Sequence, residues 1–285
     1  MEALRPLAST LAEALDVETI DRDLFRAVHS VESFMPDSLY GGEVAAQALR
    51  AACHTVTDDR FPHSLHGYFL RRGVLDRPVL LHVNRDRDGR SFSARHVNAT
   101  QNGEVIFSML ASFHVEEEAG TYESEPMAEV PAPEVLKNRR PTNSLIEVRP
   151  VIPPRFEGGR YFQSDTLWVR SRDALPDDRN IQACALVYLS DLSTGFGQLD
   201  VPGVGGGGSS IDHAMWFHQP VRADDWLLLH HWPDKARGNR GLYHGMIHDQ
   251  AGRLAATLNQ EVLFRPSRFT PEQMAKWVAA EMAED

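Results

Sequence analysis

The chain has 285 residues, 42% of them hydrophobic, and its 29 basic and 40 acidic side chains give a formal net charge of −11. This length exceeds the needs of one small domain and fits two compact units joined together. The acidic balance predicts that the protein as a whole repels nucleic acid and anionic membranes, although a local basic patch could still hold an anionic small ligand.

Cysteine usage and the N-terminal sequence bear on the compartment. The only cysteines, Cys53 and Cys184, lie in apolar, helix-like segments, so we expect buried free thiols rather than a disulfide. The first 17 residues show no basic stretch followed by an apolar run, and no segment approaches the ~20 apolar residues of a membrane span. We therefore predict a cytoplasmic protein with no membrane partner.

The first 115 residues predict a helix followed by an antiparallel meander. A short packing helix over 3–15 and a strand over 17–29 precede residues 44–53, which are good helix formers and apolar nearly all round, so we expect a buried helix there. Alternating runs separated by Asp88-Gly89 and Asn102-Gly103 then predict strands joined by hairpin turns. These strands cover residues 63–70, 78–86, 91–99 and 104–115.

Residues 116–159 interrupt this pattern. The segment begins with three glutamates, is then rich in proline, and has little apolar periodicity. We predict a linker that packs along the surface.

From residue 160 the same order of elements returns, at an offset of roughly 150 residues. The matching elements are a strand over 160–170, a buried helix over 181–190, and strands over 210–220, 225–232, 240–249 and 252–264. A terminal amphipathic helix is expected over 271–283. Because five consecutive elements agree in order and type, we interpret the chain as an internal duplication.

This pattern predicts an α+β fold in which two antiparallel sheets each wrap round a long central helix and merge edge to edge. The predicted domains are an N-terminal unit over 1–115, the linker over 116–159, and a C-terminal unit over 160–285 that carries the catalytic residues. The sheet edges that remain lead us to expect a homodimer or a higher homo-oligomer.

Several motifs resemble those of the acyl-CoA thioesterase II family. They are GGEVAAQALRAA (41–52), HSLHGYFLRRG (63–73), RDGRSFSARHVNATQNGEVIF (87–107), YLSD (188–191), IDHAMWFHQPVRADDWLLL (211–229) and GRLAATLNQEVL (252–263). The resemblance covers nearly the whole chain outside the linker. It departs at Arg71-Arg72-Gly73, where the family usually has Arg-Pro-Gly, and in the glycine-rich loop 195–209.

This resemblance implies a double hotdog fold and hydrolysis of fatty acyl-CoA to free fatty acid and CoA, without a metal or a cofactor. It also implies a site in which an Asp, a Thr or Ser, and a Gln together position a water. Matched motif by motif, these residues fall on Asp191, Ser210 and Gln260.

The chemistry of these three side chains agrees with that role. Asp191 follows a buried helix, and a carboxylate in apolar surroundings near the negative helix end should be more basic than a free one. Ser210 and Gln260 offer hydrogen bonds that orient a water. Backbone N–H groups of residues 41–43, or of the start of the 181–190 helix, are the candidates for polarising the carbonyl. The positions that match Gln260 in the first half are Ala111 and Ser112, so we expect one site per chain.

Histidines and arginines offer further candidates. His213 and His218 lie five residues apart on a strand and hence on opposite faces, so we predict packing roles rather than a metal site. The first half concentrates arginines that either cover solvated strand faces or bind the phosphates of CoA. The arginines assigned to substrate binding are Arg71, Arg72, Arg87, Arg90 and Arg95.

Two other functions remain open. One is an enoyl-CoA hydratase of the same fold, which usually needs an Asp/His pair on a hotdog helix, and neither predicted buried helix contains histidine. The other is a protein that binds acyl-CoA without catalysis.

Overall fold

The computed structural model describes residues 5–31, 38–123, 125–137, 144–201, 203–204 and 208–265, together with residues 270, 272, 273, 275, 276 and 279. Most of the terminal helix predicted over 271–283, and positions 205–207 of the glycine-rich loop, lie outside these residues. Within the described part of the chain, no helix has both the length and the apolar character needed to cross a membrane.

The described residues of the first half form two helices and six strands of the main sheet. They are α1 (Leu11–Ala14), β1 (Val17–Asp21), β2 (Leu24–Ala27), α2 (Gly41–Cys53), β3 (Arg60–Phe69), β4 (Leu80–Asp88), β5 (Phe92–Gln101) and β6 (Glu104–Val115). The segment predicted as one strand over 17–29 is therefore the hairpin β1–β2.

The rest of the chain repeats this plan with additions. Its elements are a 3₁₀ turn (Pro133–Val135), β7 (Ile146–Pro150), β8 (Arg155–Glu157), β9 (Arg160–Phe162), β10 (Thr166–Ser171), α3 (Arg179–Ser190), β11 (Gly208–Ser210), β12 (Asp212–Phe217), β13 (Leu227–Arg237), β14 (Arg240–Asp249) and β15 (Leu254–Phe264). Strands β8 and β9 form a separate small hairpin.

Among the described residues, 13 strands form one antiparallel sheet in the order β1-β2-β4-β5-β6-β3-β12-β15-β14-β13-β10-β7, with β11 pairing beside β12 on β15. The two expected sheets thus merge edge to edge into a single one. The central strands of the two halves, β3 and β12, pair directly, with Leu65 opposite Met215. An edge strand without a partner would leave its backbone N–H and C=O groups unpaired. Each half supplies the partner strand that pairs these groups in the other.

The last hairpin of each half contains the same irregularities. A glycine with positive φ precedes β6 (Gly103, φ 79°) and β15 (Gly252, φ 81°). A register shift follows in both, next to Ile106 in the first half and Ala255 in the second. This alignment places Ala111 of β6 at the position of Gln260 on β15.

The two longer helices pack against each other within one core that includes side chains from both halves. They run antiparallel, because Gly42 at the start of α2 contacts Asp191 after α3, while Cys53 at the end of α2 contacts Cys184. The two thiols are buried and free. The helices have 13 and 12 residues, and small side chains on α2 such as Ala48 allow this close contact.

Helix α1 is shorter than the 3–15 predicted from its leucine spacing. Residues 6–8 pair instead with Ser30, and the Arg5 guanidinium donates to the carbonyl of His29. Helix α1 begins only after Thr10, whose hydroxyl accepts from the N–H of Glu13 as an N-cap.

The segment 116–159 contributes to the second half. Strand β7 pairs with β10 at the end of the sheet. Residues between 127 and 136 pack on Trp168 and Trp226, and the Trp168 indole donates to the carbonyl of Pro131 (2.9 Å). The segment thus lies against the sheet, and apolar side chains such as Met127 hold it there.

Candidate active site

The structure brings the three residues of the motif together at the C-terminal end of α3. Asp191 is the residue directly after the helix, Ser210 ends β11, and Gln260 lies on β15, with which β11 pairs. Nε2 of Gln260 donates to Oδ1 of Asp191 (2.9 Å) and also contacts Oγ of Ser210, which lies 3.3 Å from the same carboxylate oxygen. Three distant parts of the chain therefore share one hydrogen-bonded cluster.

The start of α2 closes the site from the other half. The N–H of Gly42 donates to the Asp191 carboxylate. A Cβ atom at Gly41 would lie 2.7 Å from Oδ2 of Asp191 and 3.1 Å from the ring of Phe69. The glycine pair is needed for this close approach, and it places the positive end of α2 against a carboxylate.

The Asp191 carboxyl is more basic than a free one, in the direction predicted. Burial raises its pKa, while the electrostatic influence of His213 and hydrogen bonds from Gln260, Ser210 and Gly42 oppose that rise. Desolvation disfavours the charged form and is the larger effect. The group is thus a stronger proton acceptor than an exposed aspartate.

Behind Gln260 lies His213, which the sequence analysis assigned only to packing. His213 is 1% exposed, and its Nδ1 lies 2.5 Å from Oε1 of Gln260. Its Nε2 lies 2.9 Å from Oγ of Ser190, the last residue of α3. The only signal in the sequence was a histidine on a buried strand face, because its contact with Gln260 spans 47 residues.

The other histidines do not join this cluster. His218 is exposed and contacts Oγ1 of Thr257 (3.0 Å), on the face opposite to His213, as the spacing predicted. His63 contacts Ser112. In the described residues no group of three or more His, Cys, Asp or Glu side chains is arranged as a metal-ligand set.

The five arginines assigned to substrate binding do not form one surface. Arg71 and Arg72 follow the end of β3, near the site. The N–H of Phe69 at that end donates to the carbonyl of Ile211, the residue after Ser210. The others lie towards the start of β3, where Arg60 donates to the carbonyl of Arg90. The strand's ten residues separate the two groups by ~30 Å.

Arg95, one of the five, is a buried structural residue. It is 1% exposed, and its guanidinium donates to Oγ1 and O of Thr55 (2.7 and 3.0 Å) and to Asp88 (2.6 Å). Together with His54 and Arg60, Arg95 lines a cavity of about 300 Å³ at this end of α2. All five N–H groups of the guanidinium donate to protein oxygens, so Arg95 has a structural role and is removed from the phosphate-binding set.

One candidate oxyanion donor is also excluded by position. The first N–H groups of α3 are capped by the Asp178 carboxylate at the far end of the helix from Asp191. Twelve residues of α-helix separate the two ends by ~18 Å. The start of α2 is the helix N-terminus that lies beside the carboxylate.

Both halves match family models of one kind. Residues 31–114 match the acyl-CoA thioesterase N-terminal domain, and residues 123–264 match the acyl-CoA thioesterase C-terminal domain. The chain is 36% identical to acyl-coenzyme A thioesterase 8 of Homo sapiens, over 88% of this chain and 87% of that protein. It is 32% identical to acyl-CoA thioesterase 2 of Haemophilus influenzae, over 91% and 98%.

Solved structures show the same similarity. An acyl-CoA thioesterase II of Mycobacterium marinum has 39% sequence identity and a TM-score of 0.75, covering 91% of this chain and all of that one. A protein of unknown function with a hot dog fold from Alicyclobacillus acidocaldarius has the same TM-score at 19% identity, covering 90% and 98%. This second likeness shows the fold alone.

Proposed function

The chain belongs to the acyl-CoA thioesterase II family, and we propose that it hydrolyses fatty acyl-CoA to free fatty acid and CoA by direct attack of water. The observation that carries this proposal is the cluster of Asp191, Ser210 and Gln260, in which a basic, half-buried carboxylate is held by two neutral hydrogen-bonding groups. Such an arrangement suits a general base with its orienting partners.

In the proposed reaction, Asp191 accepts a proton from water while the water oxygen attacks the thioester carbonyl carbon. Ser210 and Gln260 orient that water and fix the carboxylate. Collapse of the tetrahedral intermediate breaks the carbon–sulfur bond, and Asp191 returns the proton to the CoA sulfur. No covalent enzyme intermediate and no metal are required.

We place the CoA phosphates on the side of Arg71 and Arg72, which follow the strand end next to the cluster. Arg71 is exposed there and donates to the carbonyl of Val105. Guanidinium groups suit phosphate because they offer several donors in one plane. This assignment replaces the five-arginine patch.

The proposed setting is a cytoplasmic homodimer or higher homo-oligomer that acts in fatty acid metabolism. Two buried free thiols suit a reducing compartment. Tyr68, Leu110 and Trp216 stand exposed on the sheet, which favours association between copies. Light scattering coupled to gel filtration measures the assembly, and a monomeric mass would reject it.

The test is release of CoA from a C4–C18 acyl-CoA series, followed with a thiol reagent. Hydrolysis frees the thiol, whereas a hydratase or a non-catalytic binding protein leaves the thioester intact. We expect Asp191→Ala to lower kcat by about 10³-fold with the fold retained. The matched control is Asp200→Ala, an exposed carboxylate paired with Arg160, and near-full activity of Asp191→Ala would reject the assignment.

A further inference from the structure

The Gln260 carboxamide meets a second buried polar group on the side away from Asp191. We propose that His213 is a positioning residue, which fixes the amide of Gln260 so that its N–H groups face Asp191 and Ser210. This inference rests on the proposed function, because Gln260 matters only if the cluster activates water. His213 itself does not touch the reacting atoms.

The need for such a residue follows from the shape of a carboxamide. Its oxygen and nitrogen ends are nearly equal in size, so rotation by half a turn exchanges an acceptor for two donors. In the rotated form the carbonyl oxygen of Gln260 would face the Asp191 carboxylate, and both groups would be acceptors. Nδ1 of the imidazole lies 2.5 Å from Oε1 of Gln260. An N–H at Nδ1 can donate to the amide only in the amide orientation observed.

His213 is itself held from behind. Its Nε2 lies 2.9 Å from Oγ of Ser190, which is also 2.9 Å from the carbonyl of Val187 in α3. The Ser190 hydroxyl donates to that carbonyl, so its oxygen faces Nε2 as an acceptor, and Nδ1 faces Oε1 of Gln260 on the other side of the ring. Ser190 directly precedes Asp191 in the chain. The contacts Asp191–Gln260, Gln260–His213 and His213–Ser190 therefore form a closed ring.

Burial makes this arrangement specific. Ser190, His213 and Gln260 are each at most 1% exposed, so solvent does not offer their polar atoms a substitute partner. A buried acceptor that loses its donor pays the full desolvation penalty. Loss of the imidazole would thus leave Oε1 of Gln260 with no donor from this side.

The duplicated half supports the pairing of the two roles. Ala111 occupies the register position of Gln260, and Leu65, its partner on β3, occupies the position that His213 has on β12. The half without the amide is therefore also without the imidazole. This joint absence is expected if the histidine serves the glutamine.

The experiment is a double-mutant cycle of His213→Ala and Gln260→Ala, assayed by CoA release. We expect His213→Ala to lower kcat by about 30-fold with KM nearly unchanged, in the range that a misplaced catalytic group costs. In the Gln260→Ala background, removing His213 should lower kcat far less than 30-fold, because only its electrostatic influence on Asp191 remains. Wild-type kcat in His213→Ala, or losses that multiply in the double variant, would overturn the proposal.

Two further variants separate positioning from packing. His213→Asn can place an amide N–H near the position of Nδ1, so it should recover most of kcat, whereas His213→Gln places its amide near Nε2 and should not. These two variants decide the matter if the alanine variant does not fold, and equal kcat values would count against the proposal. The control is His244→Ala, because His244 contacts the Asn259 amide on the opposite face of β15.

The outcomes also separate this inference from the proposed function. If the wild-type protein releases no CoA from any acyl-CoA, the proposed function fails. If it releases CoA and the His213 variants behave like wild type, only the positioning role fails.

Discussion

The C-terminal ends of α2 and α3 occupy equivalent places in the two halves but carry opposite chemistry. At the end of α3, Asp191 meets the Gln260 amide. At the end of α2, the Arg95 guanidinium donates to Thr55. The strand register shows which residues correspond. In the second half Tyr243 on β14 pairs with Gln260, and in the first half Arg95 on β5 pairs with Ala111, so arginine stands in place of tyrosine and alanine in place of glutamine.

Electrostatics show what each end does. A cation that donates to carbonyl groups just beyond a helix C-terminus stabilises that end. A carboxylate in the same place is disfavoured by its own helix, and at Asp191 the start of α2 offsets this through Gly42. One end of the pair thus contributes stability, and the other holds a reactive group at some cost.

The carboxyl groups at the two ends also shift in opposite directions. Burial raises the pKa of Asp191. At Asp88, slight burial would raise the pKa, but hydrogen bonds from Arg95 and Ser93 hold it below its ordinary value. A basic carboxylate is therefore found only at the α3 end of this pair.

Among the changes that compare the two ends, the largest effect is expected from giving the second half the side chain of the first. Gln260→Ala should lower kcat by about 100-fold, because Asp191 and Ser210 lose their shared donor. Steady-state CoA release measures this. Ser112→Ala on β6 is the control, and a Gln260→Ala enzyme with wild-type kcat would show that the amide does not distinguish the two ends.

A smaller loss is expected when the approach of α2 to the carboxylate is obstructed. Gly41→Ala places a methyl group 2.7 Å from Oδ2 of Asp191, so the carboxylate or the helix start must move. We expect kcat to fall about 10-fold or more. Gly120→Ala, which meets no atom within 4 Å, is the control. Unchanged kinetics in Gly41→Ala would mean that the contact between halves is dispensable.

Of the two helix ends compared, the pH dependence of kcat/KM should report the α3 end. Asp191 acts as a base only when ionised, and its pKa is raised, so activity should fall as the pH drops through a midpoint above the ordinary value of about 4. Asp88→Asn, at the other end, should leave this acid limb in place. A midpoint at or below about 4 in the wild-type enzyme would contradict the role of burial.

The smallest expected effect on turnover accompanies a large effect on stability. Arg95→Met removes the buried donors to Thr55 and should lower the free energy of unfolding by about 3 kcal/mol, with kcat within about twofold of wild type. Urea denaturation measures the first. Arg85→Met, which removes an exposed pair with Asp23, should cost at most about 1 kcal/mol. Equal losses of unfolding free energy in the two variants would show that the buried hydrogen bonds of Arg95 contribute no more than an exposed ion pair.

The sequence predicted the repeated elements well because their signals are local. Alternation and turn residues such as Asn102-Gly103 set the hairpins, and a run of helix formers set α2. The merging of the two sheets was expected, but the strands that meet were not visible, because nothing local shows that β3 pairs with β12. Strand β7 was hidden by the prolines around it, and α1 was overextended because its leucine spacing continued through Pro6.

The site could be predicted only where a motif carried it. Asp191, Ser210 and Gln260 came from family resemblance, and the structure places them in contact. His213 was missed since its role depends on one strand pairing and on the last turn of α3. Arg95 was assigned to ligand binding because sequence alone does not tell a buried guanidinium from an exposed one.

The pairing of β3 with β12 has an evolutionary consequence. In an assembly of two identical subunits, each substitution appears at both symmetry-related places, so a replacement that strengthens one would abolish catalysis in both. In a single chain that carries both copies, this constraint does not apply. One copy can therefore carry a stabilising arginine where the other has Tyr243 beside its reactive aspartate.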